Sequence, residues 1–340
     1  MIKLDKINVD AQEWELIADH FTDHNVIQTG AYGDAKVSSS GWSVERLIFK
    51  EDEKLVGAVQ ALVRPLPVMG RPFAWINRGP LLSSDEDQGE ANFLPILHLL
   101  YRRYVREKKG YIRMVPNILD SQFQWHDEVL KAGFAATAIK GWASSRINLE
   151  PKLVQLRTNL DQKWRNALNK AEKSNISVQM DTNQKLFETF LEQSNNFFQT
   201  RNMAAPLSNE LLRNWRSNLP EKEKFVAAIA YKGEEPVGSM LLCFYRDTCE
   251  YLAGNATPRG RKVNSGQLLV WKGIEFAKKF CCQYFDLGGM DKGLTPPGIY
   301  NFKKGLNGTP YRLASEITGA HNKLIGNLLD FGVARSRTDF

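Results

Sequence analysis

Apolar and polar residues recur along this chain with two periods, one helical and one alternating. Asp10–Phe21 has helical spacing, and Thr29–Ser40 follows as a glycine-containing segment. Trp42–Lys50 and Lys54–Arg64 are β-rich runs joined by Glu51-Asp52-Glu53, which predicts a hairpin. Phe73–Asn77 predicts a third strand that ends in Arg78-Gly79-Pro80. From Ala91 to Lys108 the residues Phe93, Ile96, Leu97, Leu100, Tyr101 and Tyr104 share one face of a helix, and Gly110 stops it. Tyr111–Val115 then reads as a strand and Ser121–Ala132 as a helix.

The second half repeats this order. Phe225–Tyr231 and Pro236–Tyr245 predict a hairpin about Lys232-Gly233, and Thr248–Asn255 pairs next. Asn264–Phe280 is helical, and Gln283–Leu287 is a strand running into Gly288-Gly289. Short echoes accompany the shared order: Lys54-Leu-Val-Gly-Ala against Glu235-Pro-Val-Gly-Ser, and Gly110-Tyr-Ile-Arg-Met against Gln283-Tyr-Phe-Asp-Leu. A repeated element order implies a duplicated mixed α/β module. The boundary is expected near Lys140–Pro151, giving domains 1–145 and 146–340, and no low-complexity linker separates them.

Thr158–Lys173 lies just past that boundary. Thr158 followed by Asp161 resembles a capping box, so the helix is expected to start there. Trp164, Leu168 and Ala171 fall on its buried face, while Lys163, Arg165, Lys170 and Lys173 spread over the rest. Such a helix is either a solvated amphipathic surface or a row of cations for a phosphate-rich ligand.

Charge turns that choice into a location. The 340 residues carry 45 Lys+Arg and 38 Asp+Glu, a net charge of +7. Tyr251–Arg312 alone holds ten basic residues against Glu275, Asp286 and Asp291, and the rest of the chain balances. The excess therefore points to an anionic partner near the C-terminal part. The acidic N-terminal stretch lacks a signal or transit pattern, and every apolar run is too short to span a bilayer. A cytoplasmic protein is expected, with any membrane contact peripheral. Cys243, Cys249, Cys281 and Cys282 have no C-x-x-C spacing, and the five histidines are scattered. Reduced thiols and no metal site follow from that pattern.

Three segments resemble the FemABX aminoacyltransferases. Lys163-Trp-Arg-Asn-Ala-Leu-Asn-Lys-Ala-Glu-Lys173 is similar to the basic helix that opens that family's second domain. Tyr284-Phe-Asp-Leu-Gly-Gly289 resembles its strand-to-turn motif, and Gly298-Ile-Tyr-Asn-Phe-Lys-Lys-Gly-Leu306 the aromatic-lysine segment after it. Gln28–Lys36 and Arg78-Gly-Pro80 are similar to first-domain signatures, so the likeness runs from about Val26 to Ile317. It implies an α/β fold of two tandem GNAT-like domains with mixed sheets. It also implies transfer of an amino acid from aminoacyl-tRNA to an amine on a nucleotide- or lipid-linked peptidoglycan precursor. Asp181–Pro220 has only ordinary helices, which matches the compact branch lacking a long helical arm.

The resemblance implies roles for particular residues. Phe302 and Lys303 take the catalytic position, with Lys303 stabilising an oxyanion or holding the tRNA terminal phosphate. Tyr300, Asp286, Gly288 and Gly289 shape the donor site, and Asp286 is as suited to bracing the turn as to acting as a base. Lys36 and Arg201 match acceptor-phosphate ligands, a task that suits a point charge and a planar fork. Where the family carries an acid before proline, this chain has Val115-Pro116.

Read for their chemistry alone, Tyr300, Phe302 and Lys303 suit the unstacked 3′ end of an RNA. Amide formation from an ester needs neither a metal nor a protein nucleophile, so no cofactor is expected. Two alternatives stay open. One is an acyl-coenzyme A-dependent GNAT N-acyltransferase acting on an amino sugar or small amine. Arg259–Gly266, glycine-containing and basic, precedes a helix as a pyrophosphate loop would, without the usual compact Gly-x-Gly/Ala ending. The other is a non-catalytic RNA- or precursor-binding module. A monomer is the expected assembly.

Overall fold

The computed structural model describes residues 1–66, 70–82, 86–121, 126–203, 205–322, 324 and 326–330. They form two compact units. The chain opens the first with β1 (Lys3–Ile7), α1 (Ala11–Ala18), α2 (Gly30–Ser40), β2 (Ser43–Glu51), β3 (Lys54–Pro65), β4 (Pro72–Asn77) and β5 (Leu81–Leu82). It continues through α3 (Glu86–Tyr101), a π-helical extension at Arg102–Glu107, β6 (Tyr111–Val115), α4 (His126–Lys131) and β7 (Ala135–Ala136). The second unit begins with β8 (Ala143–Asn148), α5 (Leu153–Asn159), α6 (Gln162–Glu172), β9 (Ser177–Asp181) and α7 (Gln184–Gln199). After α8 (Asn209–Asn218) come β10 (Val226–Lys232), β11 (Glu235–Tyr245), β12 (Thr248–Ala256), α9 (Pro258–Lys262) and α10 (Ser265–Lys279). β13 (Tyr284–Asp286), α11 (Pro297–Lys304), β14 (Thr309–Arg312) and β15 (Ile317–Ala320) complete the order.

Both sheets are mixed, as the sequence predicts. The first runs β1-β2-β3-β4-β6-β15-β7, antiparallel except for the parallel pair β4–β6. The second runs β14-β8-β13-β12-β11-β10-β9, and its parallel pair is β12–β13. In each unit a hairpin feeds a third antiparallel strand, and a helix then carries the chain to a parallel neighbour. The first hairpin turns at Asp52 and Glu53, both with positive φ, the backbone that a tight hairpin turn requires. The second turns at Gly233. The apolar face read from Ala91–Lys108 is the core of the first unit: Phe93, Ile96, Leu97, Leu100 and Tyr104 are all fully buried.

The structure differs from the sequence reading in several places. The chain passes from the first unit to the second between Trp142 and Ala143, and Glu210–Asn218 and the described residues from Arg312 onward group with the first unit. β15 enters the first sheet between β6 and β7, and Glu316 beside it is 1% exposed and ion-paired with Arg113. The helix expected from Thr158 is two helices, broken at Leu160. Thr158 sits at the end of α5 with its hydroxyl on the Val154 carbonyl (2.8 Å), and Asp161 caps α6 by accepting from the Lys163 amide at 2.9 Å. Finally, β1, β5, β7, β8, β9, β14 and β15 have no counterpart among the predicted strands. Of the helix expected at Ser121–Ala132, residues 122–125 lie outside the described residues, and α4 accounts for its end.

Candidate active site

Parallel pairing between β12 and β13 ends at Glu250 and Asp286. Beyond it the two strands no longer pair, although Gly288 stays close to the Tyr251 carbonyl. The chain after β13 stays with β8, where the Leu287 amide donates to the Ser145 carbonyl (2.9 Å) and Met290 to Ala143 (2.8 Å). β12 meanwhile follows β11 through a bulge: Leu242 faces Tyr251 and Leu241 faces Ala253, which leaves Leu252 as the extra residue. A cleft at the carboxyl end of parallel strands is where open α/β sheets bind ligands.

Asp286 braces this splay point. Its buried carboxylate accepts from the Ser144 hydroxyl (2.5 Å), the Tyr311 hydroxyl (2.7 Å), the Gly288 amide (2.9 Å) and Arg146 Nε (3.1 Å). Burial alone would raise its pKa, but those hydrogen bonds and the Arg146 charge outweigh it and hold the carboxyl below its ordinary value. Such a carboxylate is a poor base. Gly288 has φ of +66°, and a Cβ there would lie 2.7 Å from the Tyr251 carbonyl oxygen, so only glycine fits.

Lys303 projects from α11 into the same spot. It is 8% exposed, its Nζ donates to the Gly289 carbonyl at 2.9 Å, and it stands 5.4 Å from the Tyr251 ring centroid. Burial pulls its pKa down to about 8, against the partial opposition of Asp286. Phe302 is half-buried. Its ring lies against Gly266 at the start of α10 and 5.9 Å from the Trp164 ring, whose Nε1 donates to the Phe302 carbonyl (3.1 Å). Tyr300 is part-exposed on α11. Six of the predicted residues, Asp286, Gly288, Gly289, Tyr300, Phe302 and Lys303, thus belong to one unit, on β13, the turn after it and α11.

The other two lie on other elements. Lys36 lies on α2 of the first unit, half-buried, and burial together with the like charge of Arg64 lowers its pKa. Arg64 itself stacks 4.4 Å over Trp42. Arg201 belongs to the second unit at the end of α7. Its guanidinium stacks 3.8 Å over Phe197 and donates to the Phe197 carbonyl (3.0 Å), an exposed surface arrangement. Sequence reasoning missed Ser144, Arg146, Tyr251 and Tyr311, which reach the site through strand pairing rather than motif.

Two further features lie apart from these residues. A cavity of about 430 Å³ in the second unit is lined by Ile176, Val178, Met180, Leu268 and Phe276 under a rim of charged side chains, and it contains none of the predicted site residues. In the first unit, buried His24 faces Asp19 (3.3 Å) and Glu15 (3.7 Å), a grouping that the spacing of histidines along the chain does not reveal.

Four amides ahead of α10 are engaged. Gly260 N donates to Thr257 Oγ1 (3.0 Å), Arg261 N to Thr257 O (2.9 Å), Val263 N to Gly260 O (3.2 Å) and Asn264 N to Arg261 O (3.2 Å). A short helix, α9, thus occupies Pro258–Lys262, the first part of the segment that the sequence suggested as a pyrophosphate loop.

Known proteins resemble the chain in fold and in one domain. The acetyltransferase (GNAT) domain model matches residues 156–304. The structure of FemX superposes with a TM-score of 0.80 at 14% identity, covering 96% of this chain and all of that one. A tandem GNAT protein from the clavulanic acid biosynthesis pathway gives 0.57 at 10% identity, covering 95% and 99%. The C-terminal domain of a putative lysylphosphatidylglycerol synthetase from Agrobacterium fabrum gives 0.57 at 12%, covering 95% of each. No curated protein matches the chain. The fold is the FemX-like pair of tandem GNAT domains that the motifs led us to expect, and the second unit carries the acyltransferase domain. Among the described residues no helix is long and apolar enough to cross a membrane.

Proposed function

We propose that this acyltransferase moves an amino acid from aminoacyl-tRNA to an amine of a peptidoglycan precursor or a related cell-envelope acceptor. The amine attacks the ester carbonyl, a C–N bond forms, and the C–O bond to the terminal ribose breaks. The proton lost by the amine ends on the ribose oxygen. Catalysis of this step rests on positioning and on stabilising the tetrahedral oxyanion.

The observation that carries the reading is Lys303, a desolvated ammonium held at the end of the parallel strands beside Phe302. In a site of low dielectric its charge acts strongly on a developing oxyanion. With a pKa near 8 it also suits proton delivery to the leaving oxygen. Phe302, with one face on the α10 terminus, offers a platform for a terminal base. The Gly260, Arg261, Val263 and Asn264 amides are engaged and so are not offered to the pyrophosphate of a coenzyme A donor. Lys36, with Arg64 as a second cation, fits an acceptor bearing phosphate. Charged tRNA is a cytoplasmic donor, so the reading entails a cytoplasmic enzyme.

The test offers the protein charged tRNA or acetyl-coenzyme A with a panel of amines, and follows transfer by mass spectrometry. Transfer from tRNA, lost in Lys303→Ala, is the expected result. Transfer from the coenzyme A ester alone overturns the reading, and undiminished turnover in Lys303→Ala removes that residue from the mechanism.

A further inference from the structure

We propose that Tyr251 is the positioning residue for Lys303, its ring face holding the ammonium so that one N–H bond is left to point at substrate. An ammonium has three N–H donors and no acceptor. One of them goes to the Gly289 carbonyl at 2.9 Å. A second side of the ammonium faces the Tyr251 ring, 5.4 Å from its centroid and within the ~6 Å reach of a cation–π contact. With two directions taken, tetrahedral geometry sets the third, and that one is available to a substrate oxygen.

Three features of the backbone reserve the place of this ring. The bulge at Leu252 re-aims Tyr251 relative to the regular alternation of β12. Gly254 leaves room for the phenol, since a Cβ there would lie 2.1 Å from Tyr251 Oη and 2.9 Å from Cζ. Gly288 in turn packs on the Tyr251 carbonyl. Tyr251 therefore sits on a central strand, whereas Gly289 belongs to the turn after β13. The strand supplies the fixed reference and the turn supplies the hydrogen bond.

The charged and titratable groups around the ammonium agree with this role. Asp286 on β13 is the acid that supports the charge, and it is itself engaged by Arg146 on β8 and Tyr311 on β14. Burial pushes the Tyr251 hydroxyl up to about 12, so a neutral ring faces Lys303. The catalytic consequence rests on the aminoacyl-transfer reading; the placement of the ammonium does not.

The experiment installs phenylalanine, 4-fluoro-, 3,5-difluoro- and 3,4,5-trifluorophenylalanine at position 251 of the full chain. Fluorine withdraws charge from the ring face and leaves the shape almost unchanged, so folding is retained across the series. Competitive labelling with acetic anhydride over a range of pH, read by peptide mass spectrometry, gives the titration of Lys303. The phenylalanine variant is expected to titrate within a few tenths of a unit of the native protein. The midpoint should then fall stepwise with fluorination, by about half a unit to one unit across the series. A flat series, or one that rises, overturns the proposal, because packing alone is indifferent to the ring's charge. Transfer from charged tRNA should decline in the same order through kcat, with the acceptor KM unchanged. If the native protein transfers nothing from tRNA, the functional reading fails while the labelling series still decides the role of Tyr251.

Discussion

Replacing Asp286 by Asn tests whether this carboxylate braces the site or works as a base. One carboxylate oxygen accepts from Ser144 and Gly288, the other from Tyr311 and Arg146. In Asp286→Asn one oxygen becomes an NH2, so a donor faces two donors, and the charge that strengthened all four contacts is gone. Hydrogen bonds to a charged group contribute about 1.5–3 kcal/mol each. Arg146 is half exposed, at 48%, so its share is discounted for solvent screening. Counting only the two contacts at the atom that becomes NH2, the loss is about 2–4 kcal/mol at neutral pH, read from urea denaturation with hydrogen exchange at the β13 amides. The sign of the pH dependence is set by the depressed folded-state pKa. The carboxylate's contribution is present above the unfolded value of about 3.9 and is lost as the pH falls through the folded value. The gap between native protein and variant should therefore close in acid. Because Asp286 raises the Lys303 pKa, the variant's Lys303 should titrate below about 8. A loss under about 1 kcal/mol, a gap that persists in acid, or an upward shift of Lys303 would refute the bracing argument.

Further substitutions probe the same logic elsewhere. Gly288→Ala places a Cβ against the Tyr251 carbonyl at positive φ, and the left-handed backbone alone costs about 1–2 kcal/mol. It should lower both urea stability and transfer rate, whereas Gly298→Ala, which meets open space, should change neither. In the first unit, Arg113→Met strands Glu316 at 1% exposure and should cost about 3–5 kcal/mol, seen as lost hydrogen-exchange protection in β15. The double variant Arg113→Met/Glu316→Leu should regain most of it, and no recovery would mean that the pair's burial penalty is not what the single variant exposes. Arg64→Gln removes the like charge beside Lys36, so the Lys36 midpoint in competitive labelling should rise toward that of an ordinary lysine. An unchanged midpoint would show that burial alone depresses it.

What could be read from the sequence was what local contacts decide. The hairpins declare themselves at Asp52-Glu53 and Gly233, and the α3 core face by its spacing, because turn chemistry and periodicity act within a few residues. β15 could not be foreseen. Its four residues carry no distinctive pattern, and their place is set by pairing with β6 some two hundred positions earlier and by Glu316 finding Arg113. The helix start failed for a subtler reason: Thr158 and Asp161 both suit a cap, and only the break at Leu160 selects Asp161. The candidate site divides in the same way, Asp286–Gly289 and Phe302-Lys303 being contiguous motifs while Ser144, Arg146, Tyr251 and Tyr311 converge only once the strands pair.

Pairing also changes what the charge excess means. The stretch Tyr251–Arg312 was basic by count, with three acids to offset ten bases. Asp286 is 3% exposed and engaged inside the unit, Glu275 pairs with Lys272 at 2.7 Å, and Asp291 accepts from the Gly293 amide at 2.7 Å. Arg259 in turn pairs with Glu235 and Lys303 is buried, while Lys262, Lys292 and Lys304 stand exposed. The field that an approaching anion meets is carried by exposed lysines, and salt screens it. If that field serves RNA docking, the affinity for a tRNA acceptor stem should fall steeply with salt, and each of Lys262→Gln, Lys292→Gln and Lys304→Gln should flatten the log–log slope by up to about one. A slope indifferent to all three substitutions would assign the excess to something other than the donor.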